Sequence, residues 1–474
     1  MQATMNVTSR TITVAAGQVV ARLMNEAQDT LASIESIIRQ AADQKAQLLV
    51  LPECAYPAYL LGSVASYRAG EHMTGQMFVD WLCERAERHR MHIVSGFVED
   101  DGTNLYNAAV LIDDQGREVG RARKHFLWNV DRDWFIPGDR LNVFDTQLGR
   151  IGITICAEMR APEILATLAA RGAELIAMPT CWINTARNPG RYENPQVSFL
   201  IEARAREFGL PIICADKSGL EMPGVGYVGM SRIVRAGGSL AVEAPPTGEA
   251  VVCADITLGK AYPTTMSTRC RDRILSPKPP IRPNVDKPRP ITVVALSTGV
   301  AEQCFAEKKI EALFELLTGQ GVNVIFVPTS REEVAEAFVT LAKRHDIHAV
   351  TSRNATDVFS LGPGRFGCVS GRAVRSFAAC RAMALEGAEL LFCFDGPDDI
   401  ALLQTRAMEN RVFLVGASTK SALIVDSSGK ILARTGSGQP GEVLARIDLA
   451  DTGNKLVAPR TDIFDERRVA LYSF

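Results

Sequence analysis

The chain predicts an α/β fold present in two successive copies, and three observations carry that expectation. Short apolar runs ending at proline or at a charged residue alternate with amphipathic helical stretches, the pattern of sheets with buried parallel strands. A proline-rich stretch divides the 474 residues just past the middle. After it, the pattern of the first half begins again.

Residues 12–20 read as the first strand, and residues 30–42 as an amphipathic helix with Leu31, Ile34, Ile38 and Ala41 on one stripe. A strand over 48–51 runs into Pro52, and Glu53 follows directly. Residues 56–75 form a long loop carrying Tyr56, Tyr59 and Tyr67. A helix over 78–90 and a strand over 93–97 come next. Residues 105–113 and 118–123 make a hairpin about Asp114-Gln115-Gly116, with Lys124 closing it. Ile151, Ile153 and Ile155 alternate with small residues in a short strand that stops at Cys156. Pro162 then suits the first turn of a helix to about Arg171. A strand over 175–178, a helix over 198–208, a strand over 212–215, a hairpin of 228–234 with 240–244, and a strand over 250–256 complete the unit.

Residues 276–290 are a semi-rigid proline-rich linker. The expected domains are therefore 1–275 and 291–474. In the second, Ile310, Leu313, Phe314 and Leu317 match Ile34, Ile37, Ile38 and Ala41 at an offset of 276. Residues 364–391 align without a gap on 149–176, with 9 of 28 positions identical. Gly362-Pro-Gly-Arg-Phe-Gly fits a dinucleotide fingerprint, but that motif needs a strand before it and a helix after it. Here no strand precedes and one follows, so no cofactor is expected.

Hydrophobic residues make up 47% and charged residues 22%, the balance of a soluble globular protein. The net charge of −2 argues for neither nucleic acid nor an anionic membrane as partner. No apolar run spans a bilayer, and the N-terminus lacks a signal-peptide core. Eleven cysteines without paired spacing fit a reducing cytoplasm. The six histidines are scattered, and no Cys/His cluster has metal-ligand spacing.

Three strand ends carry candidate chemistry. Cys156 sits on a strand-to-helix turn that exposes its side chain and leaves backbone N–H groups free. Taken alone it reads as a small buried hydrophobe. Glu53 alone is a solvated strand-end carboxylate, and Lys124 alone a surface lysine. Their conjunction is specific. Leu-Pro-Glu ending at Glu53, Arg-Lys at 123–124 before a loop ending in Pro137-Gly138-Asp139, and Cys-x-Glu-x-Arg-x-Pro-Glu from Cys156 resemble the nitrilase superfamily of carbon–nitrogen hydrolases over residues 10–260.

That resemblance implies a four-layer αββα sandwich, here duplicated in tandem. It makes Cys156 a nucleophile and Glu53 its general base. Lys124 and the backbone N–H of Ala157 would hold an oxyanion. A lysine between a carboxylate and a thiol also favours the thiolate. The family usually has a second glutamate that orients the lysine; this sequence offers Asp131 and Asp133 instead, one methylene shorter. Either the loop moves in or a water fills the gap, and Asp133 is the preferred of the two. Arg160 is suited to gripping a substrate carboxylate, or to pairing with Glu158 or Glu163. Trp182 and Tyr59 are expected to line the pocket.

The substrate class implied is a small amide, with N-carbamoyl amino acids and nitriles as alternatives. True nitrilases tend to carry Trp where this chain has Ala157. A catalytically silent scaffold is the rival from another class. In the second copy Glu53 maps to Thr329, Cys156 to Gly371, and the Lys124 hairpin is deleted. It is expected to be an inactive, built-in partner that makes the chain an intrachain pseudo-dimer. Further homo-oligomerisation stays open.

Overall fold

The computed structural model describes residues 10–474 except 189, 263, 265, 352–357, 363, 397, 398 and 437. The first residues of the N-terminus and Pro363 of the glycine-rich run lie outside that set. The chain forms two units: 1–264 with 458–461 and 466–474, and 265–457 with 462–465. The short helix Thr268–Ile274 thus falls in the second unit, while most of the C-terminal tail falls in the first. Residues 276–289 carry no helix or strand. Among the described residues no helix is long and apolar enough to cross a membrane.

The first unit holds two sheets. In one, β1 (Thr11–Val20), β2 (Leu48–Val50) and β3 (His92–Asp100) run parallel, and β4 (Leu105–Ile112) and β5 (Glu118–Arg123) extend it antiparallel. In the other, β7 (Gly149–Ile153), β8 (Leu175–Pro179) and β9 (Ile212–Ala215) are parallel, with β6 (Val143–Thr146) antiparallel on the β7 edge. The helix Ala27–Asp43 buries Ile34, Ile37 and Ile38 against Leu49, Leu51 and Ile93 of the first sheet. Each such side chain contributes about 1.5–3 kcal/mol on burial. The helix Gly75–His89 is capped by the Thr74 side chain, which accepts from Met77 N at 3.2 Å.

One expected hairpin is two different connections. The stretch 228–234 breaks at Gly229 and Met230, whose φ values are +66° and +55°. The strands β10 (Lys217–Met222) and β11 (Val225–Val228) join the first sheet beside β1. The chain then crosses, and β12 (Arg232–Val234) pairs with β9 and with β13 (Leu240–Glu243) in the second sheet. Alternating apolar residues cannot mark such a crossing, because both halves bury one face. Finally β14 (Ala250–Thr257) returns antiparallel to β1.

The second unit has a four-stranded and a six-stranded sheet. The first contains β15 (Pro290–Leu296), β16 (Val324–Val327) and β17 (His348–Thr351) in parallel, with β24 (Glu442–Asp448) antiparallel to β15. The second runs β18 (Val358–Leu361), β19 (Gly364–Ser370), β20 (Leu390–Phe394), β21 (Phe413–Ala417), β22 (Ala422–Val425) and β23 (Ile431–Arg434). The helix Ile310–Gly319 buries Phe314 and Leu317 with Val294 and Ile325.

Candidate active site

Glu53, Lys124 and Cys156 all lie just beyond the C-terminal ends of strands in the first unit. Parallel sheets gather free polar ends there. Glu53 follows β2 through Pro52, and Gly96 in β3 makes the turn possible. A Cβ on Gly96 would stand 2.5 Å from both Glu53 Cα and Pro52 O. Cys54 and Cys156 each hold positive φ, +40° and +48°, costly for residues with a side chain and typical of over-determined functional turns. Cys156 opens a 3-10 turn, Cys156–Arg160, rather than leading straight into the helix Pro162–Ala170. The Glu158 side chain braces that turn by accepting from Ile155 N and His125 N, both at 2.8 Å. His125 Nδ1 adds a 2.6 Å contact to the same carboxylate. The first N–H groups of such a turn, Ala157's among them, have no acceptor within it.

Lys124 is fully buried and touches two carboxylates: Glu53 Oε1 at 2.6 Å and Asp131 Oδ2 at 2.7 Å. Asp131, not the preferred Asp133, is therefore the partner. Asp133 is half exposed and pairs with Arg460 at 2.8 Å. The reason is local: 131–134 forms one helical turn, so 131 and 133 cannot face the same way. Asp131 is held in turn by Tyr59 OH at 2.9 Å and Trp128 N at 2.7 Å.

Burial raises the Glu53 pKa, and Asp131 adds to this against the opposing pull of Lys124. Burial works against the Lys124 charge, but Asp131 and Glu53 outweigh it and hold the ammonium well above its ordinary value. Burial pushes the Cys156 thiol well up, and Glu53 pushes it further. Lys124 pulls the other way, towards the thiolate as expected from sequence, without prevailing. Glu53 Oε2 is buried without a hydrogen-bond partner and is available to take a proton. Cys181 links the two groups: its carbonyl lies 3.7 Å from Cys156 Sγ, and its own thiol donates to Glu53 O at 3.2 Å.

The remaining expected residues separate. Tyr59 and Trp182 belong to the walls that hold the site. Tyr59 reaches it through Asp131, and its N–H donates to Glu221 at 2.8 Å. Trp182 is wholly buried; with the Gln196 amide turned so that its oxygen faces the indole N–H, Gln196 accepts from that N–H at 3.1 Å and donates to Cys156 O at 2.9 Å. Arg160 is 6% exposed with its guanidinium 4.8 Å above the Trp128 ring. Glu158 bonds to His125, and Glu163 pairs with Arg467 at 3.2 Å.

Sequence reasoning missed Asn107, whose Nδ2 donates to Glu53 Oε1 at 2.7 Å. The signal was a lone amide inside the apolar run Leu105–Ile112. It also missed Glu221, which accepts from Tyr59 N, Leu60 N and Tyr227 OH and so fixes the tyrosine loop. Among the described residues no group of His, Cys, Asp and Glu has the arrangement a metal ion needs.

Comparison with known proteins identifies a family and several relatives. Residues 13–265 match the carbon-nitrogen hydrolase family model. A bifunctional nitrilase/nitrile hydratase of Nicotiana tabacum is 29% identical over 294 residues, spanning 52% of this chain and 83% of that protein. A nitrilase of Pyrococcus abyssi is 30% identical, covering 47% of this chain and 82% of its own length. An omega-amidase of Homo sapiens is also 30% identical, over 48% of this chain and 82% of that protein. The solved structure of an amidase from Nesterenkonia sp. superposes on 52% of this chain and 90% of its own, at 24% identity and a TM-score of 0.46. With more than half its length inside the family match, and with Glu, Lys and Cys at the strand ends, the chain belongs to the carbon–nitrogen hydrolases of the nitrilase superfamily.

Proposed function

We propose that the first unit hydrolyses the C–N bond of a small amide through a thioacyl intermediate on Cys156. The observation that carries the reading is the buried chain Asp131–Lys124–Glu53, with contacts of 2.7 and 2.6 Å and a Glu53 oxygen that has no hydrogen-bond partner. Glu53 takes the Cys156 proton as sulfur attacks the carbonyl carbon. Lys124 and the Ala157 N–H hold the oxyanion. Collapse breaks the C–N bond, and the proton on Glu53 passes to the leaving nitrogen. Glu53 then takes a proton from water, which attacks the thioester; the C–S bond breaks, the acid leaves, and Glu53 returns the proton to the Cys156 sulfur. The sum is amide plus water giving carboxylic acid plus ammonia or amine.

The relatives' names, nitrilase and omega-amidase, stand at equal identity and do not choose between nitrile and amide. Ala157, where nitrilases tend to carry Trp, favours the amide. An N-carbamoyl amino acid is the second reading, on the strength of Arg160 held close over Trp128. The second unit is proposed as a silent copy of the first. Its support is the matching strand order: β3-β2-β1-β14 against β17-β16-β15-β24, and β6-β7-β8-β9-β12-β13 against β18 to β23.

The test is ammonia release from a panel of primary amides, N-carbamoyl amino acids and nitriles, with Cys156→Ala as control. Release from amides that disappears in the variant supports the reading. No release from any class would leave the scaffold reading standing.

A further inference from the structure

We propose that Arg460, Thr461 and Glu466 of the C-terminal tail are positioning residues for the reaction, holding the segment that carries Asp131 close enough for its short side chain to reach Lys124. The inference rests on the amide-hydrolase reading above. An aspartate carboxylate lies one methylene nearer its backbone than a glutamate carboxylate. A 2.7 Å contact to a lysine fixed in the core therefore needs the backbone itself drawn in.

Bonds to the C-terminal tail draw it in. Among the described residues, the hydrogen bonds and ion pairs involving a side chain that join the segment Phe126–Trp134 to residues beyond it, apart from those of the Asp131 carboxylate, run to the tail. Asn129 N donates to Thr461 Oγ1 at 2.8 Å. Arg132 pairs with Glu466, and Asp133 with Arg460 at 2.8 Å. Asn129 has φ +37°, a conformation that an asparagine tolerates but that needs outside support. The same tail grips the helix after the nucleophile turn: Arg467 pairs with wholly buried Glu163 at 3.2 Å, and Ser473 N donates to Thr167 Oγ1 at 3.1 Å. Residues more than 300 positions downstream of the loop thus tie together the two segments carrying Asp131 and Cys156. None of the three proposed residues touches Glu53, Lys124 or Cys156 in any recorded bond, so their action runs through Asp131.

The experiment is a double-mutant cycle in the full chain. Combining Arg460→Ala, Thr461→Val and Glu466→Ala is expected to lower kcat by roughly ten- to a hundredfold with little change in KM. Asp131→Glu alone is expected to be harmful, because the drawn-in loop has no room for the extra methylene. Placed on the tail variant, the same change is expected to restore activity, since the longer side chain spans the gap. Asp131 holds the Glu53 pKa up, so its withdrawal is also expected to move the acidic limb of the pH profile to lower pH.

Alkylation of Cys156 by iodoacetamide, followed by mass spectrometry across pH, reads the same activation without any substrate. That separates the two ideas: an enzyme that cleaves no amide loses the functional reading, and the labelling cycle still decides the positioning one. A tail variant that melts like the parent and keeps full kcat and labelling rate overturns the proposal. So does Asp131→Glu acting equally in both backgrounds. If the triple variant does not fold, Thr461→Val alone carries the cycle.

Discussion

In the first unit β7, β8 and β9 lead into Cys156, Thr180 and Asp216; in the second, β19, β20 and β21 lead into Gly371, Asp395 and Ser418. The scaffold bonds recur at matching places. Glu174 accepts from Arg150 N at 2.8 Å, and Glu389 from Arg365 N at 2.9 Å. Arg204 Nε donates to Met159 O at 3.2 Å, and Arg406 Nε to Val374 O at 2.8 Å. Gln47 accepts from Thr13 N at 3.1 Å, and Asn323 from Thr292 N at 2.7 Å. These bonds satisfy backbone groups at strand and helix ends, some buried and some exposed, a demand the fold makes whatever its chemistry. The strand-end side chains differ between the two units, with Cys156, Thr180 and Asp216 against Gly371, Asp395 and Ser418. The difference teaches that the fold and the site make separable demands on the same α/β framework.

The sharpest break of the comparison is an exchange of nucleophiles. Cys156→Ala is expected to cost on the order of ten-thousand-fold or more in turnover. Adding Thr329→Glu and Gly371→Cys to that variant is expected to restore nothing. Among the described residues the second unit has no counterpart of the Lys124 hairpin, and a Cβ on Gly371 would collide with the Asp395 carbonyl. Any ammonia release above the Cys156→Ala level, traced to an adduct on residue 371, would overturn this account of the second unit.

Next in size is the lysine's partner. Asp131→Asn is expected to lower kcat by about a hundredfold, since it removes the charge opposite Lys124. Asp133→Asn touches only the Arg460 pair and should cost far less. Steady-state kinetics on the two variants checks the order, and equal losses would put Asp133 back in the site.

A smaller effect is a shift in the pH profile. Glu53 must be ionised to accept the thiol proton, and its pKa is raised by burial, so activity falls as pH drops through that raised value. The Asn107 hydrogen bond favours the ionised form. Asn107→Leu should therefore move the acidic limb of kcat/KM to higher pH. A limb that stays or moves down would show that Asn107 does not act on Glu53.

The smallest expected effect belongs to the second unit. Lys455 is buried, donates to Asn410 O at 3.1 Å and to Arg411 O at 2.9 Å, and burial brings its pKa down to about 7. Unfolded lysine keeps an ordinary pKa near 10.4. Between those values the unfolded chain binds more protons, so stability rises with pH, by at most about 1.4 kcal/mol per unit. Below about pH 7 the folded state carries the full penalty. Tm measured from pH 7 to 9 should climb in the parent and stay flatter in Lys455→Met. Identical slopes would remove this lysine from the account.

Much of the molecule is legible along the chain. Strand ends at Pro52 and Cys156, the hairpin before Lys124 and the helix from Pro162 are local signals, because proline, turn residues and alternating burial act within a few positions. Glu53, Lys124 and Cys156 stand out through three motifs that resemble the nitrilase superfamily, each residue alone having a bland reading. The choice of Asp131 over Asp133 is tertiary, since it depends on which face of one helical turn meets Lys124. The crossing at Gly229 and Met230, the upward push of burial on the Cys156 thiol, and the tail that reaches back to Asn129 are tertiary as well. Each turns on burial or on contacts between residues far apart in sequence, and neither composition nor periodicity records where distant segments meet.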